Sequence, residues 1–382
     1  MLVSRIIEDI TKLNAKDWNA LGQASHPFLR YEFLRALEQH ECLHPWGWSP
    51  RHLCLFEDET LIAAAPMYSK TNSYGEFVFD WAWAEAYNRN GLDYYPKLVV
   101  AVPYTPVTGP RLLISESSSH SKQVLMDTLI NSALKYAQES ESSSLHWLFT
   151  EADATTELQQ QGFMQRTGCQ FHWRNNHYQD FDDFLAALSS KKRKQIRRER
   201  REVAAADIEI EILHGDETEP MHWQVFHEFY RSTFIRKSGY ATLTQAFFEE
   251  LAHSMPRQVV LVMAKHKGEY VAATFNMRSD DALYGRHWGC NQSFSGLHFE
   301  LCYYQLIDYC IREGLRLFEA GAQGEHKLSR GFLPTPTYSA HWLANPDFSD
   351  AIENFLNHET AGMQDYMDDL NEHSPFRHVE SK

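Results

Sequence analysis

The sequence predicts a mixed α/β protein made of two consecutive domains that repeat one order of elements. Three observations carry that prediction. The chain has 382 residues, more than one ordinary core accommodates. A strand–turn–strand–strand–helix–strand order occurs twice along it. A densely basic segment stands between the two copies. We therefore expect a first domain over 1–175, a linking basic helix over 176–205 and a second domain over 206–382.

The elements follow from local pattern. In the first half, HLCLF (52–56) reads as a strand, Glu57 to Thr60 as a turn and LIAAAPMYSK (61–70) as the returning strand. In the second half, VVLVMA (259–264), a turn containing Gly268 and YVAATFNMRS (270–279) repeat the arrangement. Small residues recur on the returning strands, Ala63 to Ala65 and Ala272–Ala273, where a neighbour approaches closely. An aromatic strand is expected after each, FVFDWAW (77–83) and LYGRHWG (283–289). Helices over 122–139 and 297–313 lead to the strands LHWLFT (145–150) and LRLFEA (315–320). Gly314 is placed to stop the second helix, because glycine reaches left-handed φ without strain. A polar stretch and Gly-Phe close each copy: Gly162-Phe163 and Gly331-Phe332. Between the copies, Phe181, Phe184, Leu185 and Leu188 recur at helical spacing. Asp182 and Asp183 suit the first turn, and the run from Lys191 to Arg201 continues the helical pattern with Ile196 as its one apolar residue.

Composition narrows the classes. With 43% hydrophobic and 13% aromatic residues the chain has ample material for cores and ligand walls. The formal charge of −15 keeps polyanions away from the molecule as a whole, so any polyanion site must be local. The first residues alternate charged and apolar types, and no apolar run approaches the roughly 18 residues of a membrane span. Neither a signal peptide nor a membrane span is expected. The six cysteines are scattered and form no CxxC pair, which argues against a disulfide framework and suits a reducing cytoplasm. The twenty histidines include no HExxH or comparable ligand motif, and no metal is expected.

Several long segments resemble the FemAB-like branch of the GNAT acyltransferase superfamily, a bacterial group of N-acyltransferases associated with peptidoglycan biosynthesis. The segments are HPFLRYEFLRALE (26–38), the stretch 80–113, LSSKKRKQIRRERR (188–201), LYGRHWGC (283–290), LHFELCYYQLIDYCIREGL (297–315) and FEAGAQGEHKLSRGFLPTPTYSAHW (318–342). The resemblance implies two tandem GNAT-like domains. It also implies transfer of an acyl or aminoacyl group, from acyl-CoA or from an aminoacyl-tRNA, to a small-molecule or peptide amine such as a cell-wall precursor. The competing reading is a degenerate pair of such domains that binds a cell-wall precursor or tRNA without turnover.

Chemistry of this kind needs two parallel strands that part, a proton acceptor and donors for the oxyanion. In the second half those strands are LYGRHWG and LRLFEA. Glu319 interrupts an apolar strand and is expected to be the proton acceptor, with His298 next in line. Arg286, His287, Glu300, Gln323, His326, Lys327, Arg330 and Tyr338 are expected to contact substrate. The glycines of GAQGEHKLSRGF (321–332) permit close backbone approach there, and its cations supply charge. In the first half, Trp83, Tyr95, Lys97 and Arg111 belong to an aromatic cluster with polar tips, a candidate acceptor cleft. Arg197, Arg198 and Arg201 of the basic helix are expected to meet phosphate or RNA. Acetyl-CoA-dependent relatives carry a Q/R-x-x-G-x-G/A loop whose amides cradle pyrophosphate. The corresponding stretch here, Gln292 to Leu297, has Ser295 and Leu297 at its small positions, which keeps an aminoacyl-tRNA donor open.

Overall fold

The computed structural model describes residues 2–22, 26–322 and 324–377. They form two compact units. The first holds the chain up to Cys169 together with Pro336–Asp365, and the second holds Gln170–Thr335 and the chain from Tyr366.

In the first unit, strand Leu2–Ile7 pairs antiparallel with His52–Glu57, which forms a hairpin with Thr60–Ala65. Asp58 and Glu59 make the turn, both at positive φ (47° and 66°), as the twist of a tight hairpin requires. The returning strand expected over 61–70 is split. Pro66 has no N–H for a ladder, and beyond it Met67–Lys70 pairs with Lys97–Val100 instead. Lys97–Val100 runs parallel to Ser144–Thr150, the intervening helix Lys122–Glu139 supplying the crossover. Leu125, Leu129 and Ala133 of that helix pack with Val100 and Trp147 in one core.

The aromatic strand expected over 77–83 does not form. Residues 71–80 are loop, and Trp81–Arg89 is a helix. The reason is burial of charge. Glu76 and Asp80 turn inward to Lys97, so the aromatic residues between them cannot alternate into a core.

In the second unit, Ile208–His214, Val259–His266, Glu269–Arg278 and Ala282–Cys290 form an antiparallel meander. Leu317–Glu319 adds in parallel to Ala282–Tyr284, and its other edge pairs antiparallel with residues 172–174. Helices Pro220–Arg236 and Gln245–Ser254 set Phe226 and Phe248 against Phe275 of the sheet. A second core joins Val260, Val262, Ala272 and Leu283 to Leu301, Ile307 and Cys310 of the helical run from Leu297. That run includes a π-helical turn, Glu300–Tyr304.

The segment between the copies forms two helices, Phe181–Ala187 and Ser190–Ala205, which contribute Phe184, Leu185, Ile196 and Val203 to this same core. The boundaries differ from a plain cut of the chain in two respects. The basic helix belongs to the second unit. Residues 336–365, expected with the second domain, pack with the first, where Tyr338–Leu343 pairs with Ser144–Thr150.

Candidate functional site

The parting of two strands defines the centre of the second unit. Ala282–Cys290 pairs with Glu269–Arg278 through Asn276↔Gly285 and then Phe275↔His287, leaving Arg286 as the extra residue of a β-bulge. A bulge bends its strand and re-aims the side chains that follow. Here it separates residues expected together. Trp288 meets the His298 ring at 5.1 Å. His287 instead lies 4.9 Å from the Tyr230 ring, among the aromatic residues under the helix Pro220–Arg236. Burial holds the His287 imidazole well below its usual pKa, so it is neutral.

On the other edge, parallel pairing runs through Ala282↔Leu317 and Leu283↔Phe318 and stops at Tyr284↔Glu319. Glu319 is therefore the last paired residue before the strands part. It is 5% exposed, and its Oε2 lies 3.9 Å from His172 Nε2. Burial pushes His172 down to about 3, so that ring is neutral too. Burial lowers the Arg286 guanidinium to about 10, while Glu319 draws it back up; the cation persists at neutral pH. Glu319 thus sits at the strand fork, under the influence of Arg286 and beside the uncharged His172.

The segment after the fork folds back through Gly321, Gly324 and Gly331, all at positive φ. These open a short turn, Glu325–Arg330, that buries two cations. Lys327 donates from Nζ to the Gly321 carbonyl at 2.6 Å, and burial lowers it to about 8. Arg330 donates to both Glu199 oxygens at 3.1 and 3.0 Å and lies 3.4 Å above the Phe299 ring. A second Arg330 nitrogen reaches the His326 carbonyl at 2.8 Å. Arg330 was expected to face an anion. Its observed partners make it a clamp between this turn and the basic helix. His326 Nε2 and the Tyr303 hydroxyl are 2.8 Å apart. Burial first, and then His326 and Arg330, lower His298 to about 4, which makes it a neutral and weakly basic group.

The basic helix presents Ile196, Glu199 and Val203 inward, leaving its cations outside. Arg197, Arg198 and Arg201 line a groove of about 1410 Å³, together with Lys191, Lys194 and Arg200. Glu300 closes one side. It is 3% exposed, and its Oε1 accepts from Arg200 Nε at 3.1 Å and Gln305 Nε2 at 2.7 Å. Its Oε2 has no hydrogen-bond partner, and burial raises its pKa. Glu319, Arg286 and Lys327 do not line this groove. The stretch 292–297 touches the same helix at Ser295 and Gly296. Ser295 Oγ donates to Glu202 at 2.9 Å, and a Cβ on Gly296 would lie 3.2 Å from the Glu199 carbonyl oxygen.

The expected residues of the first unit lie apart from one another in role. Arg111 is fully buried and donates to the carbonyls of Leu148, Pro110 and Val107 at 2.9, 3.2 and 2.8 Å, a loop staple and not a cleft residue. Trp83 is buried against Tyr87 and Ile352. Lys97 donates to Ser73 and Glu76, each at 2.8 Å, and to Asp80. Tyr95 meets Ser73 at 2.9 Å. Tyr338 starts the pairing with Thr150, beside a bulge. Gln323 lies outside the described residues.

Sequence reasoning missed the depth of this polar network. Asp80 also accepts from Tyr94 at 2.7 Å, and Tyr94 leads to His146 and through it to His341 at 2.8 Å. A signal existed: Glu76 and Asp80 are the only charges within an aromatic run. Among the described residues no group of three or more His, Cys, Asp or Glu is arranged to hold a metal ion. No described helix is long and apolar enough to cross a membrane.

The two units have the tandem GNAT fold, the class to which several solved structures belong. FemX superposes with a TM-score of 0.53 at 11% identity, over 82% of this chain and 92% of its own. The C-terminal domain of a putative lysylphosphatidylglycerol synthetase from Agrobacterium fabrum also gives 0.53, at 8% identity, over 91% and 97%. L-PGS from Bacillus licheniformis gives 0.50 at 11% identity, over 80% and 87%. No curated protein matches the chain in a sequence search. A family model described as peptidoglycan biosynthesis and recognition matches residues 9–378, and the chain belongs to this FemAB-like family.

Proposed function

We propose that the protein is a cytoplasmic N-acyltransferase or aminoacyltransferase that delivers an acyl group to an amine, with a cell-wall precursor or another peptide amine as acceptor. One observation carries this reading: the parallel strands part at Glu319, which leaves a buried carboxylate at the fork with the bulged Arg286 beside it. A carboxylate in that position removes the proton of an attacking amine, and the amides freed at the fork are suited to an oxyanion. His298 is the weaker candidate base, because its lowered pKa gives it little affinity for a proton. Lys327 is the cation nearest to use for an anionic part of donor or acceptor.

For the donor, the groove favours aminoacyl-tRNA over acyl-CoA. Six cations of one helix line it, a density suited to a phosphodiester chain, whereas Ser295 and Gly296 of the stretch 292–297 abut the basic helix. The test is turnover of Glu319→Gln with an aminoacyl-tRNA and an amine acceptor. We expect a loss of about 10²-fold or more in kcat with little change in donor affinity. Turnover at the wild-type rate would remove Glu319 from the mechanism.

A further inference from the structure

We propose that the segment 73–82 of the first unit, a loop running into the first turn of a helix, is a membrane-docking element that seats its aromatic rings in the interfacial layer of a lipid bilayer. The loop is inverted relative to ordinary surface loops. Its ionisable residues, Glu76 and Asp80, are 4% and 3% exposed, while Tyr74, Phe77, Phe79 and Trp81 are 55%, 40%, 52% and 41% exposed. The exposed positions of this stretch carry no charge at all.

The inversion is held from inside. Lys97 gathers Ser73, Glu76 and Asp80 from three points of the loop, and Lys70 Nζ donates to the Tyr74 carbonyl at 3.1 Å. The buried acids are thus turned inward onto Lys97, away from whatever covers the rings. A second observation is independent of exposure. Phe77 has φ of 62°, in the left-handed region that a bulky residue rarely adopts. Strain of this kind persists where surrounding structure imposes it, and it concentrates at functional segments. Here it keeps the Phe77 ring outside.

The chemistry of the rings selects the occupant. Trp and Tyr favour the headgroup layer of a bilayer, and two phenylalanines without a polar tip favour its acyl boundary. A charge-free tip on a chain of net charge −15 suits a neutral lipid surface and gains nothing from an anionic one. The attachment proposed is peripheral, through these rings alone.

The test is flotation of the full chain with phosphatidylcholine vesicles, alone and mixed with phosphatidylglycerol, using wild type and the double variant F77G/F79S. Glycine adopts the left-handed conformation at position 77 without strain, so the variant should melt no lower than about the wild-type temperature. The expected result is binding of wild type to the neutral vesicles and a loss of about tenfold or more in partitioning for the variant. Absence of wild-type binding, equal binding by both proteins, or binding confined to the anionic vesicles overturns the proposal. Self-association that the variant loses, without vesicle binding, assigns the loop to a second copy and overturns it equally.

Discussion

Two buried lysines show how surroundings decide what one residue type does. At Lys97 burial works against the charge, but Glu76 and Asp80 overcome it and raise the pKa above the usual lysine value. Removing one partner of such a group strands the others without compensation, which is why buried ions occur in satisfied sets. At Lys327 burial meets only a weak opposing influence from Cys302, and the pKa falls to about 8. Its ammonium is present below pH 8 and is lost as pH rises through that value. In the unfolded chain the lysine titrates near 10.5. Between about 8 and 10.5 the unfolded chain therefore binds more protons, and this residue makes stability rise with pH across that window. A step that needs the Lys327 charge should move the other way. We expect kcat/KM to decline above about pH 8, and Lys327→Arg to shift that decline upward if it retains activity, since a guanidinium stays charged. A profile identical in both enzymes would place the titration elsewhere.

At the scale of the element, the basic helix divides its faces by function. Glu199 interrupts the run of cations and turns inward with Ile196 and Val203, where it receives Arg330 and the Tyr304 hydroxyl. The outward arginines are weakly engaged: Arg197 pairs with Asp182 at 2.8 Å and Arg198 with Glu202 at 3.6 Å, both at exposed positions. Exposed pairs of this kind contribute about 1 kcal/mol or less. The triple reversal R197E/R198E/R201E should therefore leave the melting temperature nearly unchanged. It should weaken tRNA binding by at least about tenfold and flatten its dependence on salt, as fewer counterions are released. Unaltered tRNA affinity at low and high salt would reduce the groove to a solvated face. The aromatic run of the first unit teaches the converse lesson. Its strand-like pattern, FVFDWAW, yields to a loop and a helix because Glu76 and Asp80 find a lysine 21 and 17 residues away.

For the whole molecule, the exchange of chain between units has a direct consequence. The first unit takes strand Tyr338–Leu343 from the C-terminal region, and with it His341, which pairs with His146. A fragment ending at residue 175, the boundary the repeat suggests, would lack that strand. It would expose one edge of Ser144–Thr150 and leave buried polar groups unsatisfied. We expect such a fragment to aggregate or to lack cooperative unfolding by circular dichroism, while the full chain unfolds cooperatively. A stable, cooperatively folding 1–175 fragment would show that the borrowed strand is dispensable.

Local chemistry alone specified the hairpins, the helix Lys122–Glu139, the Gly314 stop and the two Gly-Phe closures, each a matter of periodicity or left-handed φ within a few residues. The resemblance of long segments pointed to the tandem fold, and a carboxylate interrupting an apolar strand singled out Glu319. Tertiary structure decided the rest. Pro66 divides one expected strand between two sheets only because separate partners await each half. The bulge at Arg286 inverts the alternation of its strand, so that His287 shares a face with Tyr284, a matter of register with another strand. Arg330 and Arg111, which as sequence resemble ligand contacts, are occupied by Glu199 and by backbone carbonyls. A charged residue in a sequence states only that it needs a partner. Whether the partner is a ligand or a side chain 131 residues away is settled when folding brings them within hydrogen-bonding distance.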